Sequence, residues 1–321
     1  MRALVISYSQ SGETTRIARM FADALSAAGV DVACEEIHPR VAYPYPWRSI
    51  IRFFDAMPDA ILGSSDTIEP LRFSPSGRYE LVVLAYPVWF LSPATPVQAF
   101  FRTPSAGVLR NTEVVTISVS RAMWQRASVA MTRLLAEARA IHCDSIVVTH
   151  QGSPLATLIS TPRALLFGKR DRLLGVFPTA GVAAKDLERI RVLASVVAHS
   201  LTAGRQGNRS FLRGEAAVTV TRWLAVPELL GWYCFRGSAH VIRFFGTIHR
   251  GLRTAGVLGF AVFLVLLILF ALPIGVLGTF VATPFIRKRL NRYLKSLEGP
   301  ANDFASIQNP VERVHDRVTS A

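Results

Sequence analysis

The sequence has few of the residues that stabilise small secreted or zinc-binding domains. It contains three cysteines, Cys34, Cys143 and Cys234, which lie far apart and form neither a CxxC pair nor a Cys/His ligand spacing. This argues against a disulfide framework and against a zinc site, so no metal is predicted. We expect a reducing compartment for the chain.

Charged residues are also scarce. They make up 18% of the chain, and hydrophobic residues make up 50%. This composition excludes a disordered or acidic solvating protein. The 36 Lys and Arg outnumber the 22 Asp and Glu, and the net charge is +14. Such a balance favours a polyanionic neighbour, either nucleic acid or anionic lipid headgroups. Residues 1–204 carry 21 basic and 16 acidic residues, and residues 205–321 carry 15 and 6, so the excess is concentrated in the shorter C-terminal part.

The start of the chain lacks the pattern of a signal peptide. Residues 1–6 are already strand-like, with neither a charged leader before an apolar stretch nor a small-residue cleavage site. We therefore expect the N-terminal part to stay in the cytoplasm.

Residues 1–204 alternate short apolar runs with helical patterns. Strands are predicted at 3–8, 30–37, 80–86, 113–118 and 144–149, and helices at 13–28, 94–102, 124–140 and 186–201. This alternation predicts an α/β fold with a doubly wound parallel sheet of five strands in the order 2-1-3-4-5. A further apolar run at 172–177 is compatible with the second half of a split fifth strand.

The C-terminal part contains a long run without charge. From Thr254 to Ile286, 33 consecutive residues include no Asp, Glu, Lys, Arg or His, which is atypical of a soluble core helix. Residues 205–253 interleave arginines with large aromatic residues, as interfacial helices do. We predict a domain at 1–204, basic amphipathic interfacial helices at 205–253, a hydrophobic membrane anchor at 254–297 and a polar tail at 298–321. The anchor accounts for the basic flank, so membrane lipids with anionic headgroups are predicted as partners, and nucleic acid is not.

The topology of the anchor follows from its length and its flanking charges. One straight helix over the run would be about 50 Å long, against about 30 Å for the hydrocarbon core. A single span would also place Arg287, Lys288 and Arg289 on the far side of the membrane, against the positive-inside rule. We therefore predict a re-entrant hairpin bent near Pro273, with the single span as the alternative. The protein is expected on the cytoplasmic face of a membrane.

An insertion at 40–73 separates the second and third predicted strands and is rich in aromatic residues and proline. Such a segment is typical of a lid or a membrane-facing surface. Simple packing onto the sheet is the alternative interpretation.

A hydroxyl-rich turn follows the first predicted strand and opens the first helix. It reads Ser9-Gln10-Ser11-Gly12-Glu13-Thr14-Thr15. Hydroxyls and free backbone N–H groups at a helix start can surround a phosphate, and glycine lets the backbone approach closely. Because the turn lacks a Walker lysine and a GxGxxG spacing, it favours a terminal monophosphate over a triphosphate or a pyrophosphate. A plain helix cap is the alternative.

The third predicted strand runs into Pro87-Val88-Trp89-Phe90, which places an aromatic pair at the carboxyl edge of the sheet. A flat ring would stack there. With both features in place, residues 1–204 resemble the flavodoxin-like FMN proteins, which have an S-x-S/T-G-x-T turn after the first strand and a Pro-x-Trp-type loop after the third.

The resemblance implies a set of FMN contacts. The phosphate would be held by Ser9, Gln10, Ser11, Glu13, Thr14 and Thr15. The isoalloxazine would be bordered by Pro87, Val88, Trp89 and Phe90, and the turn after the fourth strand would add Ser118 and Ser120. His150, just past the fifth strand, is a weak catalytic candidate, and an ordinary loop histidine is the alternative.

The basic, apolar extension departs from small acidic flavodoxins. With the insertion and the loops at 167–182, it resembles the membrane-associated flavodoxin-like proteins of dialkylresorcinol and aryl-polyene biosynthesis. This resemblance implies an FMN-dependent oxidoreductase that acts on a lipophilic ring substrate at the membrane and aromatises an alkylated cyclohexanedione to a resorcinol. A membrane-bound NAD(P)H:quinone reductase, with NAD(P)H as reductant, is one alternative, and a non-catalytic membrane scaffold is another. The oligomeric state stays open, a homo-oligomer included.

Overall fold

The computed structural model describes residues 1–63, 66–203, 210–271, 273 and 290–297. Its sheet has five parallel strands, β1 (Arg2–Ser7), β2 (Asp31–Glu36), β3 (Leu81–Trp89), β5 (Glu113–Ser120) and β6 (Ile141–Thr149), and a two-residue strand β4 (Ser92–Pro93) that pairs antiparallel with the end of β3. The five strands lie in the order β2-β1-β3-β5-β6. This is the flavodoxin-like doubly wound topology, so the predicted fold class is confirmed.

Helices cover both faces of the sheet. They are α1 (Glu13–Ala27), α4 (Thr95–Phe100), α5 (Gln125–Glu137) and α7 (Ala184–Thr202), with α2 (Ile50–Asp55) and α3 (Met57–Leu62) in the insertion and α6 (Thr157–Phe167) after β6. Alternate strand residues face opposite layers. Val5 and Val83 pack in the cluster with α1 and α7, whereas Leu4 and Leu84 pack in the cluster with α4 and α5.

Residues 172–177 do not form a strand of this sheet, so that interpretation is wrong. Leu173 and Phe177 make only an isolated bridge with each other. Gly175, between them, has a φ of 68°, in the left-handed region that closes a tight turn. The apolar run therefore folds back on itself instead of extending along an edge of the sheet.

Residues 210–224 pack onto the domain that precedes them. Phe211 and Leu212 are buried in the same cluster as α1 and α7. The buried carboxylate of Asp144 accepts hydrogen bonds from the Ser210 hydroxyl and the Phe211 N–H, each at 2.6 Å. The predicted domain boundary at residue 204 stays a prediction. These contacts lead us to propose that the flavodoxin-like domain continues to about Leu224.

The C-terminal helices are α8 (Ala225–Ile248) and α9 (Arg250–Leu266), and residues 210–221, where interfacial helix was predicted, are not helical. Ion pairs fix both helices to the insertion: Arg243 contacts Asp59 at 3.0 Å and Arg253 contacts Asp55 at 2.6 Å. Among the described residues, one helix, Arg250–Phe270, is long and apolar enough to cross a membrane by length and composition, and 11% of its apolar window is buried.

The segment 290–297 is helical and returns to the flavodoxin-like domain. Leu294 and Leu297 are buried in one cluster with Trp124, Val147 and Ala225. The bend was predicted near Pro273, and residues 272 and 274–289 around and after it lie outside the described residues, as does the predicted tail at 298–321. Residues 290–297 therefore pack on the flavodoxin-like domain, and the topology of the anchor, hairpin or single span, stays a prediction.

Candidate functional site

A cavity of about 370 Å³ lies at the carboxyl ends of β1, β3 and β5. Its volume falls in the range of about 300–1,000 Å³ that is typical of small-molecule sites. Most of the predicted site residues line it, namely Ser9, Gln10, Ser11, Glu13, Thr14, Pro87, Val88, Trp89, Phe90, Ser120 and His150.

Two of the predicted site residues, Thr15 and Ser118, do not line the cavity. The Thr15 hydroxyl donates to Glu36 Oε1 at 3.0 Å, because successive helix positions point about 100° apart and Thr15 faces the end of β2. Ser118 lies on the same face of β5 as Ser120 but two residues, about 7 Å, deeper, where it is buried beside Tyr86. Their proposed roles in phosphate and ring binding therefore have no geometric support.

The hydroxyl-rich loop turns tightly into α1. Gly12 precedes the helix with a φ of 82°, and the Ser9 hydroxyl accepts a hydrogen bond from the Thr14 N–H at 3.0 Å. Arg170 reaches the loop from 159 positions away and donates to the Ser11 carbonyl at 3.3 Å and to the Tyr45 hydroxyl at 3.0 Å. The loop thus combines hydroxyls, a helix N-terminus and a cation, which together suit an anionic group.

Glu13 and His150 form a pair at the edge of this loop. Glu13 Oε2 contacts His150 Nε2 at 3.1 Å, and Glu13 Oε1 accepts from the Val182 N–H at 2.8 Å. Burial by itself would raise the pKa of Glu13, but the hydrogen bonds from His150 and Val182 and the charge of Arg170 hold it below its usual value. An ionised Glu13 requires a hydrogen on His150 Nε2.

Aromatic rings form the next part of the wall. The indole of Trp89 makes edge contacts with Tyr43, Trp47 and Tyr8, at centroid distances of 4.9, 6.1 and 5.8 Å. Trp47 belongs to the inserted segment and lines the cavity. The insertion therefore packs aromatic residues against the end of β3 and around the cavity, and the interpretation as a lid or a membrane-facing surface stays a prediction.

The turn that follows Trp89 has an unusual backbone. Phe90 and Leu91 have φ angles of 48° and 63°, although neither is glycine, and they connect Trp89 to Ser92 in a two-residue hairpin. Left-handed conformations cost about 1–2 kcal/mol at such residues. Burial of Leu91 and the ring contact of Phe90 with Phe53 at 5.1 Å offset this cost and direct Phe90 to the cavity.

The carboxyl end of β5 and the residue that follows it place two polar side chains at the site, Ser120 and Arg121. Ser120 Oγ is buried, lines the cavity and has no hydrogen-bond partner among the described residues. Arg121 beside it donates to the Pro154 carbonyl at 3.0 Å and the Thr157 hydroxyl at 3.3 Å, and burial lowers its pKa to about 10. A buried hydroxyl of this kind is placed to bond a ligand.

The turn after β5 is fixed by a residue that the sequence did not reveal. Glu228 of α8 is buried, and its Oε1 accepts from the Arg126 N–H at the start of α5 at 2.7 Å. Burial raises the pKa of Glu228 to about 7, although these backbone hydrogen bonds lower it in part. The guanidinium of Arg126 stacks over Trp232 of α8 at 4.2 Å. No motif or spacing links these positions, because they lie about a hundred residues apart.

The far end of the cavity is apolar. Its walls are Leu158, Leu165 and Leu166 of α6, Leu230 and Phe235 of α8, and Leu264, Leu267 and Ile268 of the apolar C-terminal helix. The sequence predicted that this helix is part of a membrane anchor, but it did not indicate that the helix lines the site. One cavity therefore joins a polar loop, an aromatic wall and a lipophilic end.

Proteins similar to this chain are found among solved structures. No protein-family model matches the chain, and no curated protein matches it. Among solved structures, it is similar to a flavoprotein in complex with FMN from Lactobacillus acidophilus (21% identity, 46% of this chain, 91% of that one, TM-score 0.37). It is also similar to a flavodoxin from Archaea (12% identity, 63% of this chain, 99% of that one, TM-score 0.35). A third similar structure is an NAD(P)H:quinone oxidoreductase from Methanothermobacter marburgensis (12% identity, 54% of this chain, 98% of that one, TM-score 0.27). At these identities and scores the fold assignment rests on the strand order of this chain.

Proposed function

We propose that the protein is an FMN-dependent oxidoreductase that acts on a lipophilic ring substrate at a membrane surface. The observation that supports this most is the single cavity that joins the phosphate-type loop, the aromatic wall and the apolar end. The residues fit the cofactor, because the buried Ser120 hydroxyl needs a partner that the described residues do not supply. Bound FMN would supply hydride transfer.

Different residues of the cavity would bind different parts of the cofactor. Ser9, Ser11 and Thr14 would bind the phosphate, and Arg170 would complement its charge. Trp89 and Phe90 would border the flavin ring, with Ser120 at its polar edge. Gln10, Pro87 and Val88 complete the wall around these groups.

His150 makes the contacts of a positioning residue. Its Nε2 faces Glu13 and its Nδ1 lies 3.1 Å from the Thr161 hydroxyl, so both ring nitrogens are engaged. We propose that His150 holds the Glu13 carboxylate away from the phosphate loop. A direct role for His150 in proton transfer stays a prediction.

The lipophilic end of the cavity favours a substrate with an apolar substituent. Aromatisation of an alkylated cyclohexanedione, which the sequence resemblance implies, is the more specific form of the proposal. Reduction of a quinone by NAD(P)H suits the same geometry, and anaerobic mixing separates the two. The cyclohexanedione alone should bleach the visible flavin absorbance in the first case, and NAD(P)H alone should bleach it in the second.

The absorbance spectrum of the detergent-solubilised protein tests the cofactor. FMN should copurify, and replacing both Ser11 and Thr14 by Ala should weaken its retention, because each hydroxyl bond to a charged group contributes about 1.5–3 kcal/mol. Thr15→Ala is the matched control, since Thr15 lies beside Thr14 but faces Glu36. A colourless protein would favour the scaffold alternative. Unchanged flavin content in the double variant would refute the loop assignment.

A further inference from the structure

Helix α6 has its polarity reversed. Its buried residues are mostly hydroxyl-bearing, Thr157, Ser160 and Thr161, whereas Ile159 and Phe167 are 46% and 61% exposed. A helix on a water-facing surface shows the opposite arrangement. The apolar outer side of α6 is therefore suited to a lipid environment.

The reversal has a structural cause on the inner side. Thr157 bonds Arg121, and Thr161 bonds His150, so the hydroxyl face of α6 completes the polar part of the site. The opposite side then carries apolar residues that line the cavity, as Leu158 does, or face outward, as Ile159 does, and one charged residue, Arg163, whose guanidinium is paired with Asp171 at 3.0 Å.

The apolar C-terminal helix is likewise two-faced. Phe260, Leu264 and Ile268 recur every four residues and face inward, where Leu264 and Ile268 line the cavity. Val262 and Val265 on the other side are exposed. Backbone hydrogen bonding widens to the π type at Leu267–Ala271, beside the cavity. One side of this helix therefore lines the cavity, and its opposite side is an exposed apolar surface.

We infer that the apolar end of the cavity binds the alkyl chain of the substrate, and that this chain arrives from the bilayer because α6 and the apolar C-terminal helix, which both line this end, lie in lipid. The inference rests on the proposed function and names its substrate class, a redox-active ring with an alkyl tail. The ring would occupy the end near Trp89, and the tail would lie between Leu158 and Leu264.

Two pairs of neighbouring residues give matched variants for the tail site. Leu158→Trp and Leu264→Trp fill the cavity, whereas Ile159→Trp and Val265→Trp place the same ring on the outer side. With the full chain in liposomes and NAD(P)H as the reductant, the first pair should lower kcat/KM for 2-decyl-1,4-benzoquinone at least tenfold and leave 2-methyl-1,4-benzoquinone within twofold. The second pair should change neither. Equal effects on the two quinones, or on the two pairs, would overturn the inference.

Photolabelling gives a readout that needs no flavin turnover. A 5-dodecylresorcinol with a diazirine at the chain end should label the full-length protein in liposomes, and unlabelled 5-dodecylresorcinol should compete. Competable label should map to α6 and α9 and disappear in Leu158→Trp but persist in Ile159→Trp. Label that resists competition, or that maps elsewhere, would overturn the tail site.

The position of α6 is tested independently. In a chain with Cys34 and Cys234 replaced by Ser, a bimane on Ile159→Cys should be quenched by nitroxide lipids, whereas the same dye on Val192→Cys of α7, which is similarly exposed at 54%, should not. Equal quenching at both positions, or none at 159, would refute the placement of α6 in lipid. If competable label appears but no flavin is bound, the proposed function fails and the tail site stands. If flavin binds and methylbenzoquinone turns over without competable label, the tail site fails and the function stands.

Discussion

Two buried titratable residues give the stability of this protein an unusual dependence on pH. Glu228 bonds the N-terminus of α5, and His142 lies in the core, where its Nε2 is 3.1 Å from the Thr116 hydroxyl and 3.2 Å from the Ser145 hydroxyl. Burial shifts both groups toward the neutral form, so the two pKa shifts have opposite signs. We expect their effects on the free energy of unfolding to cancel over much of the acid range.

The pKa of Glu228 rises from 4.5 to about 7 on folding. Between these values the folded state holds more protons than the unfolded state, so stability is full below pH 4.5 and is lost as the pH rises through 7. A shift of this size corresponds to a loss of about 3 kcal/mol. Arg121 and Arg126 are the positive charges that face this carboxylate, and the charge of Arg126 lowers its pKa in part.

The pKa of His142 falls from 6.5 to about 4 on folding, chiefly through burial. The unfolded state then holds more protons between these values, so stability is full above pH 6.5 and is lost as the pH falls through 4. The loss is again about 3 kcal/mol. Between pH 4.5 and 6.5 the two slopes oppose each other.

Urea unfolding of the detergent-solubilised full chain, followed by tryptophan fluorescence from pH 4 to 8, measures both terms. Relative to the unmodified protein, Glu228→Gln should gain about 3 kcal/mol as the pH rises from 4.5 to 7, and His142→Gln should lose about 3 kcal/mol as the pH rises from 4 to 6.5, because each variant removes one term. The double variant should track the unmodified protein between pH 4.5 and 6.5. If Glu228→Gln shows the same pH profile as the unmodified protein, the α5 amides keep the carboxylate ionised and the reasoning from burial is wrong.

Four further predictions follow from other contacts. Trp89→Ala should lower stability by roughly 3 kcal/mol and shift the flavin absorbance, and an unchanged spectrum would make Trp89 a packing residue only. Gly181→Ala should weaken FMN retention, because Gly181 has a φ of 120° and its Cβ would lie 2.7 Å from Glu13 Oε1; unaltered retention would show that this backbone is free to shift. The fragment 1–224 should fold and bind FMN in detergent, whereas 1–204 should be much less stable, because it lacks the hydrogen bonds from Ser210 and Phe211 to the buried Asp144 and the buried side chains of Phe211 and Leu212; equal stability in urea would contradict this. Ser320→Cys in sealed inverted vesicles should be labelled from the flavin-domain side, and labelling from the other side would support a single span.

The fold was predictable because a parallel sheet buried on both faces leaves a continuous trace in the sequence. Leu81–Tyr86 is apolar throughout, and every residue in it is buried. The end of this strand was less predictable, because Pro87 usually ends a strand. Here the strand continues to Trp89, and the Pro87 carbonyl accepts from the Ala94 N–H at 3.1 Å in the hairpin.

In the candidate site, the parts built from one short segment could be predicted from the sequence, and the contacts between distant segments could not. The loop around Gly12 and the aromatic wall at Trp89 were predictable, since each is a short motif at a strand end. Arg170 and Glu228 were not, because they reach the site from distant segments and their identity as partners depends on the tertiary fold. Thr15 does not line the cavity beside Thr14, and the sequence could not show this, since a motif does not show which way each side chain points.

The reversed polarity of α6 bears on how the protein has to be purified. Because α6 has only 11 residues, it is too short to span a membrane, and the first 224 residues would be taken for an ordinary water-soluble fragment. Removal of the C-terminal helices would instead leave the outer side of α6 without lipid and would also open the leucines that line the cavity. We expect such a fragment to behave as an amphiphile that forms soluble aggregates above a threshold concentration and disperses with mild detergent. Polar substitutions at Ile159 and Phe167 should raise that threshold, which makes them the natural first changes for crystallisation.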